Sequence, residues 1–310
     1  MILIDTSALV SSSRDGNIRS LARLISLIED GSESLPAIMK ELKPHGARVI
    51  GITGSPGVGK STLTSALIKS LREKGHKVGV IAIDPSSPFT QGAVLGDRIR
   101  MQDHFLDDGV YIRSMATRGH LGGLAAATPQ AIRVLDDAGF DTILVETVGV
   151  GQSEVEIVSH ADTTLVVLAP GMGDGVQAVK AGLLEIGDIY VVNKADRDGA
   201  EVTSRELRNS LALAPQDPER EILLTAADRG MGIEELVAAL ARHRDYLAAS
   251  GLLEGRRIDR ASLEIEHLAS AKLRAQIKGE PLRTLAALVA DGKMDSYTAA
   301  DQLLAEERVK

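Results

Sequence analysis

The densest chemistry in the sequence lies in eight consecutive residues, Gly54-Ser55-Pro56-Gly57-Val58-Gly59-Lys60-Ser61. They fit G-x-x-x-x-G-K-[ST] at every fixed position, a pattern suited to triphosphates. Glycines let the backbone curl until several N–H groups face one anion, and a helix starting there adds the positive end of its dipole. Lys60 would meet the β- and γ-phosphates, Ser61 would hold Mg2+, and Thr62 extends the row of backbone donors. Taken alone, this loop names a nucleoside triphosphate and leaves the base open.

The base must be read elsewhere. Asn193-Lys194-Ala195-Asp196 resembles the N-K-x-D motif of GTP-binding proteins. A carboxylate at Asp196 accepts from both guanine N1–H and N2–H2, donors that adenine does not present together, and a site built for them rejects a base lacking them. Lys194 would lay its stem along the base plane, and Asn193 would tie this loop to the phosphate loop. Thr225, Ala226 and Ala227 follow a later apolar run and complete the nucleotide-binding candidates.

Mg2+ takes oxygen ligands, usually one or two carboxylates with phosphate oxygens and waters. Asp84, Asp97 and Glu146 are the acids placed to serve it beside Ser61, although Asp84 and Asp97 also suit plain turn or cap positions. Glu146-Thr147-Val148-Gly149 stands where many GTPases carry D-x-x-G. Gly149 would offer its N–H to the γ-phosphate. Glu146 would act around the metal or polarise water, since phosphoryl transfer asks for charge stabilisation and water positioning more than proton removal.

These residues need a scaffold that gathers them, and the sequence supplies one. Apolar runs at 49–52, 78–83, 110–112, 142–145, 164–168, 189–192 and 222–224 alternate with helical stretches. That alternation predicts βαβ units and a mostly parallel sheet flanked by helices, with ligands outside the carboxyl ends of the strands. Apart from Asp97, which lies farther along the Gly-rich stretch after Asp84, the polar residues named above sit at or just after such runs. Ahead of the sheet, Ile18, Leu21, Leu24, Ile25 and Ile28 recur at helical spacing after an expected N-cap at Asp15, and a short helix is expected from Pro36 to Leu42. Behind it, Ile265, Leu268, Leu273 and Ile277, then Leu282, Leu285, Leu288 and Val289, then Thr298 to Leu304, predict three helices. The expected organisation is an N-terminal helical extension (1–45), a phosphate-loop (P-loop) GTPase domain (46–244) and a C-terminal helical arm (245–310).

Composition fits this picture and excludes others. The chain has 310 residues, 44% of them hydrophobic but only 2% aromatic, so a core of Ala, Leu, Val and Ile is expected. A net charge of −8 argues against a general nucleic-acid or anionic-membrane binder. With no cysteine there is no disulfide or thiolate metal site. No apolar run spans a bilayer and no secretory signal is evident, so a cytoplasmic setting is expected.

Together the motifs closely resemble the MeaB/ArgK family of GTPases. The resemblance runs from about Ile18 to the end and is carried by Gly51-Ile52-Thr53-Gly54, Asp84-Pro85-Ser86-Ser87, Leu95-Gly96-Asp97-Arg98, the stretch from Ser114 to Gly123, the stretch from Glu146 to Glu154, and Asn193-Lys194-Ala195-Asp196. It implies a GTP/GDP- and Mg2+-dependent hydrolase that acts as a chaperone of an adenosylcobalamin-dependent acyl-CoA mutase, gating cofactor loading and protecting or reactivating the client. It also implies a homodimer formed through the C-terminal arm; the competing reading is a helical cap on the chain's own sheet. By the same resemblance, Gln177 and Lys180 are candidates for client-activated hydrolysis. Their segment departs from the family's usual G-D-x-L-Q-G-I-K-K-G, with Val176, Ala178 and Ala181 where Leu, Gly and the second Lys are common. Arg118 and His120 fall in a stretch that resembles a switch loop. A nickel-delivering metallochaperone GTPase and a small-molecule kinase are the alternative functions, the first set against by the absence of cysteine and the scatter of the 7 histidines.

Overall fold

A helical hairpin opens the chain: α1 (Thr6–Arg14) and α2 (Ile18–Glu29), followed by the short α3 (Leu35–Glu41). The computed structural model describes residues 5–84, 101–116, 127–147, 157–171, 183–212, 220–277 and 279–307. The cap of α2 differs from expectation. Asp15 closes α1, Gly16 turns the chain at φ 87, and Asn17 becomes the N-cap, its Oδ1 accepting from the N–H groups of Arg19 and Ser20 at 3.0 and 3.1 Å. The residue nearest the helix wins because a cap must reach the second and third N–H groups of the first turn. The apolar stripe is buried at Leu21, Leu24, Ile25 and Ile28, while Ile18 at the first position stays exposed.

Seven strands follow, each on an apolar run: β1 (Arg48–Thr53), β2 (Val78–Asp84), β3 (Val110–Ala116), β4 (Thr142–Thr147), β5 (Thr163–Leu168), β6 (Ile189–Val192) and β7 (Glu221–Leu224). They form one sheet in the order β3-β2-β4-β1-β5-β6-β7, and every pairing is parallel. Parallel strands need crossovers, here supplied by α4 (Lys60–Glu73), α5 (Thr128–Asp137), the single turn α6 (Leu183–Ile186) and α7 (Ala200–Ala212), with α8 (Ile233–Ala249) following β7.

Both faces of the sheet are covered, so strand side chains separate by parity. Val49, Ile81, Ile83, Ile143 and Val145 pack with Leu24, Ile25 and Ile38 of the N-terminal helices and Leu135 of α5. Ile50, Ile52, Val78, Val80 and Leu144 pack with Leu63, Leu67, Ile68 and Leu71 of α4 and Leu236 and Leu240 of α8. Each fully buried leucine or isoleucine contributes roughly 1.5–3 kcal/mol. The N-terminal hairpin is further tied to α5 through the buried Asp137, which accepts from Arg14 Nη2 at 2.8 Å and from the Lys43 N–H at 2.7 Å.

The chain divides into two compact units, Met1–Arg256 and Arg257–Lys310. The expected boundary at 244/245 falls inside α8, which carries buried Leu247. α9 (Leu252–Gln276) begins in the first unit, where Arg256 grips Asp188 with Nη1 and Nη2 at 2.9 and 2.7 Å. The second unit holds the rest of α9, then α10 (Glu280–Ala290) and α11 (Ser296–Glu307), with a small core of Leu285, Ala299 and Leu303. Ile258, Leu263, Ile265, Leu268 and Leu273 of α9 are exposed. No helix among the described residues is long and apolar enough to cross a membrane.

Asp188 makes a testable pH sensor of stability. Burial pushes its pKa up, but hydrogen bonds and charge from His243 and Arg256 outweigh that and hold it down to about 2. A folded-state value below the unfolded one contributes stability above the unfolded pKa, near 4, that is lost as pH falls toward 2. Asp188→Asn is expected to cost about 2 kcal/mol at neutral pH and to flatten the acid limb between roughly pH 4 and 2. Urea titrations of both proteins across that range check it, and equal acid limbs would remove Asp188 from the account.

Candidate functional site

All seven strands run one way, so their carboxyl ends share an edge, and residues far apart in sequence meet there. β1 delivers the phosphate loop at its end, and α4 starts on Lys60 with Gly59 at φ 94 as N-cap. Two glycines are compelled by space. A Cβ on Gly54, at φ 140, would lie 2.1 Å from the Val167 carbonyl oxygen, and one on Gly59 would lie 2.5 Å from Asn193 Nδ2. The loop therefore threads between the end of β5 and the loop after β6, a passage only glycine allows.

Lys60 is buried, and its Nζ donates to the carbonyls of Gly54 at 2.6 Å and Ser55 at 3.1 Å. The ammonium thus lies folded across the concave side of its own loop. Pro56 and Gly57 form the exposed crest, with Val58 tucked into the core below.

Beneath the helix start, Glu146 is 2% exposed, and parity explains its direction. It shares the face of Leu144, in register with Ile52, and so points at α4. Ser61 Oγ donates to its Oε1 and Thr64 Oγ1 to its Oε2, each at 2.7 Å. Thr147, the next residue, turns to the other side, where its Oγ1 reaches Thr53 Oγ1 at 3.3 Å. Asp84 ends β2 opposite Ala116 of β3 and so reaches the same edge. A hydroxyl beside a carboxylate is a hard-oxygen donor set, so Ser61 and Glu146 fit Mg2+ by chemistry.

The loops after β6 and β7 form the other flank. Asn193 Nδ2 donates to the Val58 carbonyl at 3.0 Å, while its Oδ1 accepts from Thr225 Oγ1 at 3.1 Å and the Ala227 N–H at 3.2 Å. One buried amide therefore links the phosphate loop to both flanking loops. Lys194 adopts φ 58, the one left-handed conformation among the described non-glycine residues, and its Nζ donates to the Gly57 carbonyl at 2.5 Å. Such a conformation costs about 1–2 kcal/mol and is held only by its surroundings. Asp196 pairs with Arg229 at 2.9 Å, its side chain 17% exposed. Ala226 closes the wall through mutual hydrogen bonds with Met231.

The structure thus brings Gly54, Ser55, Pro56, Gly57, Val58, Gly59, Lys60, Ser61 and Thr62 together with Glu146, Asn193, Lys194, Asp196, Thr225, Ala226 and Ala227. Asp97, Gly149, Gln177 and Lys180, like Arg118 and His120, lie outside the described residues. Sequence reasoning missed Thr64 and Arg229. Thr64 could have been found as the hydroxyl one turn beyond Ser61 on the same helical face; Arg229 carries no such signal, since its pairing depends on two loops meeting.

A pattern described as methylmalonyl Co-A mutase-associated GTPase MeaB matches residues 21–281. The chain belongs to the MeaB family of GTPases. A protein of Pyrococcus abyssi is 49% identical over 310 residues, covering 96% of this chain and 95% of that one. GTPase ArgK of Escherichia coli is 35% identical over 253 residues, 78% and 76% of the two chains. The mouse mitochondrial methylmalonic aciduria type A homolog is 34% identical over 266 residues, covering 82% of this chain and 64% of that protein. A crystal structure of a LAO/AO transport system kinase superposes with a TM-score of 0.69 at 24% identity over 99% of this chain and 100% of that one, a likeness of fold. As a MeaB-family member, the chain is a GTP-hydrolysing enzyme that binds GTP and GDP, and its family is associated with methylmalonyl-CoA mutase.

Proposed function

We propose that this MeaB-family GTPase is Mg2+-dependent and reports its nucleotide state to an adenosylcobalamin-dependent acyl-CoA mutase, gating cobalamin loading and protecting or reactivating that enzyme. The convergence of the phosphate loop, Glu146 and the Asn193–Asp196 loop on one sheet edge carries the nucleotide half of the reading. The family match over 21–281 supports the client half.

The backbone N–H groups from Gly54 to Thr62 would face the phosphates, and Lys60 would leave its loop carbonyls for the β- and γ-phosphates. Ser61 would ligate the metal, with Glu146, Asp84 and Asp97 around it. Bound Mg2+ would offset the charge that develops on the β- and γ-oxygens. Asp196 would read guanine, Lys194 would lie along the base, and Asn193 would keep both in register with the phosphates. Thr225, Ala226 and Ala227 would close the base pocket through backbone groups. Gly149 would meet the γ-phosphate, and Gln177 and Lys180 would act when the client docks. The exposed apolar residues of α9 suit a homodimer contact, and the setting is cytoplasmic.

GTP and ATP turnover, measured with and without purified methylmalonyl-CoA mutase, tests this. GTP should be strongly preferred and its turnover should rise with the mutase present. Equal use of ATP would sink the base reading; GTP turnover indifferent to the mutase, without co-elution, would sink the client.

A further inference from the structure

Glu146 is held by two hydroxyls of α4, and only one of them belongs to the phosphate-loop pattern. The other, Thr64, is fully buried, with Oγ1 2.7 Å from Glu146 Oε2 and 3.0 Å from the Lys60 carbonyl oxygen. A hydroxyl has one proton to give, and the shorter contact to a charged oxygen is the stronger acceptor. Threonine in a helix divides between two rotamers, and the contacts to Glu146 and the Lys60 carbonyl select one, which sets the position of that oxygen.

Ser61 and Thr64 lie three residues apart and project from the same face of α4. Farther along that stripe, Ile68 and Leu71 are buried against the sheet, so the two hydroxyls occupy positions that would otherwise be apolar. Each takes one carboxylate oxygen, and together they fix the plane of Glu146. With its proton given to Oε1, Ser61 meets a cation through its oxygen lone pairs alone. The direction of those lone pairs then depends on where the carboxylate is held.

We propose that Thr64 is a positioning residue for GTP hydrolysis, fixing the carboxylate of Glu146 so that Ser61 presents its oxygen to a divalent cation. This rests on the reading of Ser61 and Glu146 as the metal-facing pair. Groups that orient metal-binding side chains typically change metal affinity by about 10–100-fold when removed. Thr64→Val keeps the shape and removes the hydroxyl, whereas Thr64→Ser keeps the hydroxyl.

The test is Mn2+ binding to the GDP complex of the full chain, followed by electron paramagnetic resonance of free Mn2+, alongside the Mg2+ dependence of GTP turnover. Thr64→Val should weaken Mn2+ about tenfold and raise the half-saturating Mg2+ by a similar factor, with GDP affinity in excess chelator unchanged. Thr64→Ser should stay within about twofold of the wild type, a rescue that loss of packing would not give. Wild-type Mn2+ affinity in Thr64→Val while Glu146→Gln loses it would overturn the positioning role and leave the metal pair standing. Wild-type affinity in both would overturn the metal pair and the proposal with it. Should Thr64→Val fail to fold, Thr64→Ala is expected to show the same weakening, and unchanged affinity there overturns the proposal.

Discussion

Asp196→Asn should move nucleotide preference from GTP toward XTP, lowering kcat/KM for GTP about 10³-fold while raising it for XTP. The reason is the matching of donors to acceptors. Guanine presents N1–H and N2–H2 to a carboxylate. Xanthine keeps N1–H but carries a carbonyl at C2, and an amide meets that pair, its oxygen accepting and its NH2 donating. Sites built around a buried polar match discriminate by up to about 10⁴–10⁵, so 10³ is a modest expectation for a side chain 17% exposed. The substitution also loosens the Arg229 contact, but Arg229 is 67% exposed, and an ion pair open to solvent contributes at most about 1 kcal/mol. That loss would weaken GTP and XTP alike and cannot produce a reversal. Steady-state rates with both nucleotides decide it, and GTP use at the wild-type level in Asp196→Asn would mean that another group reads the base.

The second large effect is expected at Gly54. Gly54→Ala should lower stability by about 3 kcal/mol or more and weaken GTP binding over 100-fold. A methyl there meets the backbone of Val167, with the carbonyl oxygen at 2.1 Å and its carbon at 3.1 Å, and neither can turn aside as a side-chain tip would. Relief requires the phosphate loop to lift from β5, which carries Lys60 and the donor N–H groups with it. Gly57→Ala is the control. Gly57 also has positive φ, at 81, but a Cβ there meets nothing within 4 Å, so only the conformational cost of about 1–2 kcal/mol remains. Thermal unfolding and GDP titration of the two variants separate backbone collision from backbone strain, and a Gly54→Ala protein that melts and binds like the wild type would refute it.

The five inner strands were legible because they are buried on both faces and so read as apolar runs, whereas the edge strands β3 and β7 are half-buried and gave only the short runs 110–112 and 222–224. The phosphate loop was legible because its chemistry is local: donors, lysine and hydroxyl must follow one another within a few residues. The base-side loop was legible for a similar reason, with Asn193, Lys194 and Asp196 spaced along one turn. What sequence could not supply are contacts between segments that only the sheet brings together. Thr64 looks like an ordinary helix residue until Glu146 arrives from β4, and Arg229 like a surface charge until Asp196 stands beside it. The cap at Asn17 was misplaced for a different reason: Asp15 and Asn17 are both good caps, and the choice turned on an earlier helix, α1, that had not been foreseen.

The folded-back posture of Lys60 gives nucleotide affinity a particular meaning. Its ammonium is already held by the carbonyls of Gly54 and Ser55, so a triphosphate that recruits it enters an exchange, taking over a cation from one set of oxygens and releasing those oxygens to other partners. A measured dissociation constant is then the difference between two satisfied arrangements. Substitutions that weaken the lysine's hold on its own loop would tighten GTP without touching it.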